Sequence, residues 1–175
     1  MTSIYLIGPR ACGKTTVGKV LAQKLQLEFY DSDALIVERA GCDISTYVES
    51  HGWDSFRDLE SAILKELSDK THAIISCGGG IVVREQNLSI LRRNFTVYLK
   101  TDVKILASRL EADPEHGQRP SLTGKPLAEE IQEILNVREN LYSDCATFIL
   151  DGASSIEEIS TQILEKQKYI QQGDH

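Results

Sequence analysis

The chain has 175 residues, 41% of them hydrophobic and 26% charged, with a formal net charge of -7. That length suits one domain with its own core, and the acidity argues against general nucleic-acid binding, where a basic face is expected. No run approaches the roughly 20 apolar residues of a membrane span, and Ile4–Ile7 is too short for a secretory segment, so a cytoplasmic protein with no membrane partner is expected.

Short apolar runs alternate with longer helical patterns. Ser3–Ile7 reads as the first strand, and a helix over about 14–26 follows, with Val17, Leu21 and Leu25 at helical spacing. Glu28–Tyr30 is a second strand, followed by helices near 33–40, 45–50 and 53–68. Ala73–Ser76 is a third strand, with a helix near 85–93. Phe95–Leu99 and Thr147–Leu150 complete five strands, and helices near 102–111, 128–142 and 155–170 complete the pattern. Alternation of this kind predicts an α/β fold, a parallel sheet covered by helices on both faces. One stretch interrupts the rhythm: Ala112–Leu127 holds Pro114, Pro120 and Pro126 together with Gly117 and Gly124. Such a loop inside a compact domain reads as a lid or as a surface insertion. Cys12, Cys42, Cys77 and Cys145 form no CxxC pair, and the histidines have no metal-ligand spacing, so reduced thiols and no transition-metal site are expected.

Gly8-Pro9-Arg10-Ala11-Cys12-Gly13-Lys14-Thr15-Thr16 fits G-x-x-x-x-G-K-[ST] at every specified position, between a strand and a helix. Backbone N–H groups of such a loop cradle phosphates at a helix N-terminus. Lys14 would reach the β- and γ-phosphates, and the Thr15 hydroxyl would ligate Mg²⁺. Asp31-Ser32-Asp33 ends the second strand, where ligands sit in open α/β sheets, although taken alone these residue types read first as a plain helix cap. Arg57 and Glu60 lie three apart on a helix, so the carboxylate can fix the guanidinium fork for a substrate acid, or the two can form a simple surface pair. Gly78-Gly79-Gly80 follows the third strand and suits close backbone approach to a ligand. Ser76-Cys77 stands where many P-loop proteins carry a Walker-B carboxylate, which leaves Asp31 as the acidic supplier for the metal. Arg119 sits in the proline-rich loop and Arg138 on the helix after it. Cys12, at a helix N-terminus in the phosphate loop, reads either as a buried filler or as an acidified thiol.

Taken in this order, Gly8–Thr16, Asp31-Ser32-Asp33, Phe56-Arg57 with Glu60, Gly78–Gly80, Arg119-Pro120 and Arg138 resemble the shikimate kinases. IGPRACGKTTVGK and RPSLTGKPLAEEIQEIL are most similar to the type 2 members of that family in enteric bacteria. The resemblance spans about Ser3 to Ile163. It implies a single P-loop kinase domain over residues 1–175, of the nucleoside-monophosphate-kinase type, with a five-stranded parallel sheet in order 2-3-1-4-5 and a lid at about 112–127. It also implies ATP-dependent phosphorylation of the 3-hydroxyl of shikimate, a step toward chorismate and the aromatic amino acids, in a protein expected to be a monomer. By this resemblance Ala11, Cys12, Gly13, Lys14, Thr15, Thr16, Arg109 and Arg119 bind ATP, and Thr15 and Asp31 hold Mg²⁺. Asp33, Arg57, Gly78, Gly79, Gly80 and Arg138 bind shikimate, while Lys14, Asp33 and Arg119 carry catalysis. Two departures stand out. Cys77 replaces the Ser or Thr usual before the three glycines, and Asp151–Ser154 lacks an arginine that many members place near adenine. A kinase for gluconate or a nucleoside monophosphate, a nucleotide-dependent switch and a binding module without turnover are the competing readings. The switch reading finds no Asn-Lys-x-Asp guanine motif in the chain.

Overall fold

The computed structural model describes residues 3–112 and 124–173. Within them lie strands β1 (Ile4–Ile7), β2 (Glu28–Asp31), β3 (Ala73–Ser76), β4 (Phe95–Lys100) and β5 (Phe148–Asp151). All pair in parallel, in the order β2-β3-β1-β4-β5 that the resemblance implies. Burial follows the order. Every residue of β1 and β3 is buried, whereas the edge strands β2 and β5 remain partly exposed. Central parallel strands are covered on both faces, so they read as unbroken apolar runs rather than as an alternating pattern.

Parallel neighbours need crossover connections. These are supplied by helices α1 (Lys14–Leu25), α2 (Ser32–Ala40), α3 (Ile44–Ser68), α4 (Glu85–Arg92), α5 (Val103–Ala112), α6 (Leu127–Cys145) and α7 (Ile156–Gly173). Helix α1 packs on α7 and α2 on α3, while α4 and α5 both pack on α6. The helices expected near 45–50 and 53–68 form one continuous run, α3, broken only at Gly52, whose φ of 81° and ψ of 166° are not helical. None of the helices among the described residues is long and apolar enough to cross a membrane.

Because the strands point the same way, their C-terminal ends gather along one edge. Asp31 at the end of β2 lies in register with Ser76 at the end of β3. Beside them the chain leaves β1 at Ile7 and turns directly into the glycine-rich loop before α1. Most of the expected lid, residues 113–123 with Pro114, Gly117, Arg119 and Pro120, lies outside the described residues.

Candidate active site

Two helices start at this edge with opposite treatment of their first N–H groups. The side chain of Asp31 caps α2, accepting from the backbone N–H of Asp33 at 3.0 Å and of Ala34 at 3.3 Å. Helix α1 follows Gly13, which has φ of 100°, and receives no side-chain cap. Its exposed donors and the dipole are therefore free for an anion. Ala11 to Thr16 line a cleft of about 400 Å³ here, together with Arg109, Gly152 and Ser154. Lys14 is folded back on its own loop, donating to the carbonyls of Gly8 at 3.0 Å and Pro9 at 2.7 Å. Those bonds satisfy a buried ammonium.

The Thr15 hydroxyl donates to Asp31 Oδ2 at 2.8 Å and lies 3.4 Å from Ser76 Oγ. Three oxygen-bearing side chains from α1, β2 and β3 thus meet beside the phosphate loop. The hydroxyl that Cys77 cannot offer is present one residue earlier, on Ser76. Cys77 is itself buried, and desolvation pushes its thiol far above the usual range, so it is inert there. Cys12 is only 1% exposed, which fits the filler reading.

A second pocket opens on the other side of the P-loop, lined by Pro9, Arg10, Trp53, Arg57, Gly79 and Arg138 among others. Arg57 donates to Glu60 at 2.6 Å across one helical turn of α3, and the Glu60 side chain is fully enclosed. Rings of Trp53 and Phe56 lie 5.4 and 5.1 Å from the guanidinium carbon. The surface-pair alternative is therefore excluded by burial. Arg138, reaching in from α6, donates to Gly79 O at 3.3 Å. Burial lowers its pKa, and the nearby Arg57 charge lowers it further, whereas Tyr142 opposes the shift. Two guanidinium groups converging in a half-dry pocket call for an anionic ligand.

Gly79 lines this pocket, and its neighbours Gly80 and Gly78 pack against Arg57 and Asp33. A Cβ on Gly80 would stand 1.9 Å from Arg57 Nη1, so only glycine leaves the guanidinium its place. Gly78 donates its N–H to Ser32 Oγ at 2.8 Å, and a Cβ there would stand 2.6 Å from Asp33 Oδ1. All of Asp31-Ser32-Asp33 is thereby used: a cap that also meets Thr15, a strut under Gly78, and a carboxylate facing the glycine loop. Arg109 donates to Ala11 O and Gly152 O, each at 3.1 Å, and so ties the P-loop to the turn after β5. Arg119 lies outside the described residues.

The model of a known family, shikimate kinase, matches residues 10–168 of this chain. The chain belongs to the shikimate kinase family. Among its relatives, the shikimate kinase of Nitratidesulfovibrio vulgaris is 44% identical over 87% of this chain and 88% of its own. Shikimate kinase 2 of Enterobacter sp. is 43% identical over 92% of each. The solved shikimate kinase of Acinetobacter baumannii in complex with shikimate matches with a TM-score of 0.90 at 30% identity, covering 97% of this chain and 94% of that one.

As a member of the shikimate kinase family, the chain brings nearly every residue singled out from its sequence to one sheet edge. Sequence reasoning missed three. Ser76 was noted only for standing where a Walker-B carboxylate is usual, because a lone serine at a strand end carries no pattern of its own. Ser32 was read only as part of an acidic triplet. Tyr142, whose hydroxyl donates to Gly79 O, is buried on α6 and belongs to no sequence motif.

Proposed function

We propose that this shikimate kinase family member transfers the γ-phosphoryl group of ATP to the 3-hydroxyl of shikimate, giving shikimate 3-phosphate on the route to chorismate. The observation that carries the reading is the Arg57–Glu60 pair enclosed against Gly80, with Arg138 beside it, in a pocket that adjoins the P-loop. A small cyclic alcohol bearing one carboxylate suits that pocket. Its acid group meets Arg57 and Arg138, and its hydroxyls turn toward Asp33 and the glycine backbone.

Phosphoryl transfer asks little covalent work of a protein; alignment and charge neutralisation do most of it. Ala11 to Thr16 hold the phosphates through backbone N–H groups and the uncapped start of α1. Lys14 exchanges the Gly8 and Pro9 carbonyls for phosphate oxygens. Asp33 orients the acceptor hydroxyl from the wall of the glycine loop. Arg109 flanks the base end of the cleft, and Arg119 is assigned to the nucleotide phosphates by family resemblance. The oxygen donors of Thr15, Asp31 and Ser76 fit Mg²⁺, which favours one or two carboxylates plus waters and substrate phosphates. Bound there, the ion would neutralise charge on the β- and γ-phosphates. A monomer working in the cytoplasm, where ATP is plentiful, completes the reading.

The test is ADP release with ATP and Mg²⁺ over a panel of acceptors: shikimate, gluconate and several nucleoside monophosphates. Shikimate should be turned over with kcat/KM at least a hundredfold above any other acceptor. Efficient turnover of a different acceptor with shikimate untouched would overturn the assignment, and ATP binding without product from any acceptor would reduce the chain to a binding module.

A further inference from the structure

We infer that Tyr142 is a positioning residue for the acceptor side of the site: its hydroxyl holds the Gly79 carbonyl and so leaves Arg138 available to the substrate acid. The inference rests on the reading above, in which Gly79 and Arg138 face shikimate.

Gly79 O accepts from two donors, the Tyr142 hydroxyl and Arg138 Nη1 at 3.3 Å, and the hydroxyl and the guanidinium also interact with each other. The second contact is long, and the first is the closer of the two. Tyr142 and Arg138 lie four apart on α6, hence on one face of the helix, and both aim at the same carbonyl. A buried carbonyl must find a donor. With Tyr142 in place that demand is met, and the guanidinium of Arg138 keeps its remaining N–H groups for a carboxylate. Without the hydroxyl, Arg138 becomes the one remaining donor of the two and is drawn toward the backbone.

Tyr142 is suited to the task. Its side chain is fully buried, and its ring stacks on Tyr98 with centroids 5.0 Å apart. Tyr98 in turn lies under the P-loop, 3.5 Å from where a Cβ on Gly8 would be. Gly79 itself borders the P-loop backbone, since a Cβ there would meet Arg10 N at 3.4 Å and Gly8 O at 3.5 Å. The hydroxyl therefore fixes the Gly79 peptide at the wall of the Arg57–Arg138 pocket, from a ring that is itself held by packing. Burial also drives the phenol pKa upward, so it remains a protonated donor throughout the working pH range.

The experiment compares wild type, Tyr142→Phe, Arg138→Ala and the double variant. Shikimate affinity is read from the fluorescence of Trp53, the chain's one tryptophan, which lines the pocket, and KM and kcat come from ADP release. Tyr142→Phe keeps the ring and its stacking, so the fold should hold. It should raise the KM and Kd for shikimate about five- to twentyfold while the KM for ATP changes less than twofold. In the Arg138→Ala background the same change should have less than a twofold effect, because the residue acts through Arg138. Unchanged shikimate binding in Tyr142→Phe, equal loss for both substrates, or additive effects in the double variant would each overturn the inference. Should Tyr142→Phe lose stability, Tyr98→Phe serves as the packing control: it must leave shikimate KM within twofold, and a matching rise would overturn the inference too. Wild type inactive on shikimate, or Arg138→Ala with normal shikimate affinity, would instead sink the underlying reading.

Discussion

Arg57 shows how a few contacts turn an ordinary surface residue type into an enclosed cation with a fixed orientation. Arginine on a helix is usually solvated, but here Glu60 fixes the fork, two aromatic rings flank it, and Gly80 gives it room. Removing the charge is the obvious perturbation. Arg57→Ala should weaken shikimate binding by about 2 kcal/mol or more, the cost of a buried charged hydrogen bond, and leave ATP binding nearly intact. Gly80→Ala is the sharper test, because it alters no charge. Its new methyl would stand within 2 Å of Arg57 Nη1, so the guanidinium must leave its position. Gly80→Ala should therefore reproduce most of the shikimate KM increase of Arg57→Ala, measured by ADP release, with the ATP KM unchanged. A normal shikimate KM in Gly80→Ala would mean that the fork does not act from this position.

At the scale of elements, the junction of β2 and α2 serves both fold and site through one carboxylate. Asp31 caps α2 with Oδ1 and accepts from Thr15 with Oδ2. Substitution can separate the two uses. Asparagine caps about as well as aspartate, whereas alanine loses about 1 kcal/mol at such a position. Asp31→Asn should thus melt within a degree or two of wild type, and Asp31→Ala several degrees lower. Both should lose at least tenfold in kcat with ATP and Mg²⁺, since the carboxylate charge is gone in each. Wild-type turnover in Asp31→Asn would remove Asp31 from metal binding. The same junction marks what the sequence made legible. The strands stood out because β1 and β3 are apolar throughout, and the P-loop because its glycines and lysine have fixed spacing. The break at Gly52 was read as a gap between two helices, which is how a glycine with φ of 81° looks in a linear pattern. The Arg57–Glu60 spacing announced a pair but not its burial, which depends on Trp53 and Gly80. Bonds such as Ser32 to Gly78 or Ser76 to Thr15 join residues 46 and 61 apart, and no local periodicity encodes them.

Across the whole molecule, the net charge of -7 coexists with a site for two anions because cations are concentrated at one edge of the sheet. Lys14 and Arg109 border the nucleotide cleft, and Arg10, Arg57 and Arg138 border the neighbouring pocket. Burial works against the charged form of Arg138, and repulsion from the nearby Arg57 adds to it, as its lowered pKa shows. A bound anion relieves that repulsion, so ligand binding and folding stability must be linked. A ligand at a hundred times its Kd adds about 2.7 kcal/mol to stability. In a domain of this size about 1 kcal/mol corresponds to a 2–4 °C change in Tm, so saturating shikimate should raise the Tm of the wild-type protein by about 5–10 °C. ATP with Mg²⁺ should give a comparable rise through the P-loop. Because the two pockets draw on different cations, Arg57→Ala should lose the shikimate shift and keep the ATP shift, whereas Lys14→Ala should reverse that pattern. Differential scanning calorimetry of the three proteins with each ligand decides the matter. Should either variant lose both shifts together, the two pockets would form one inseparable site, and the division of cations between them would be wrong.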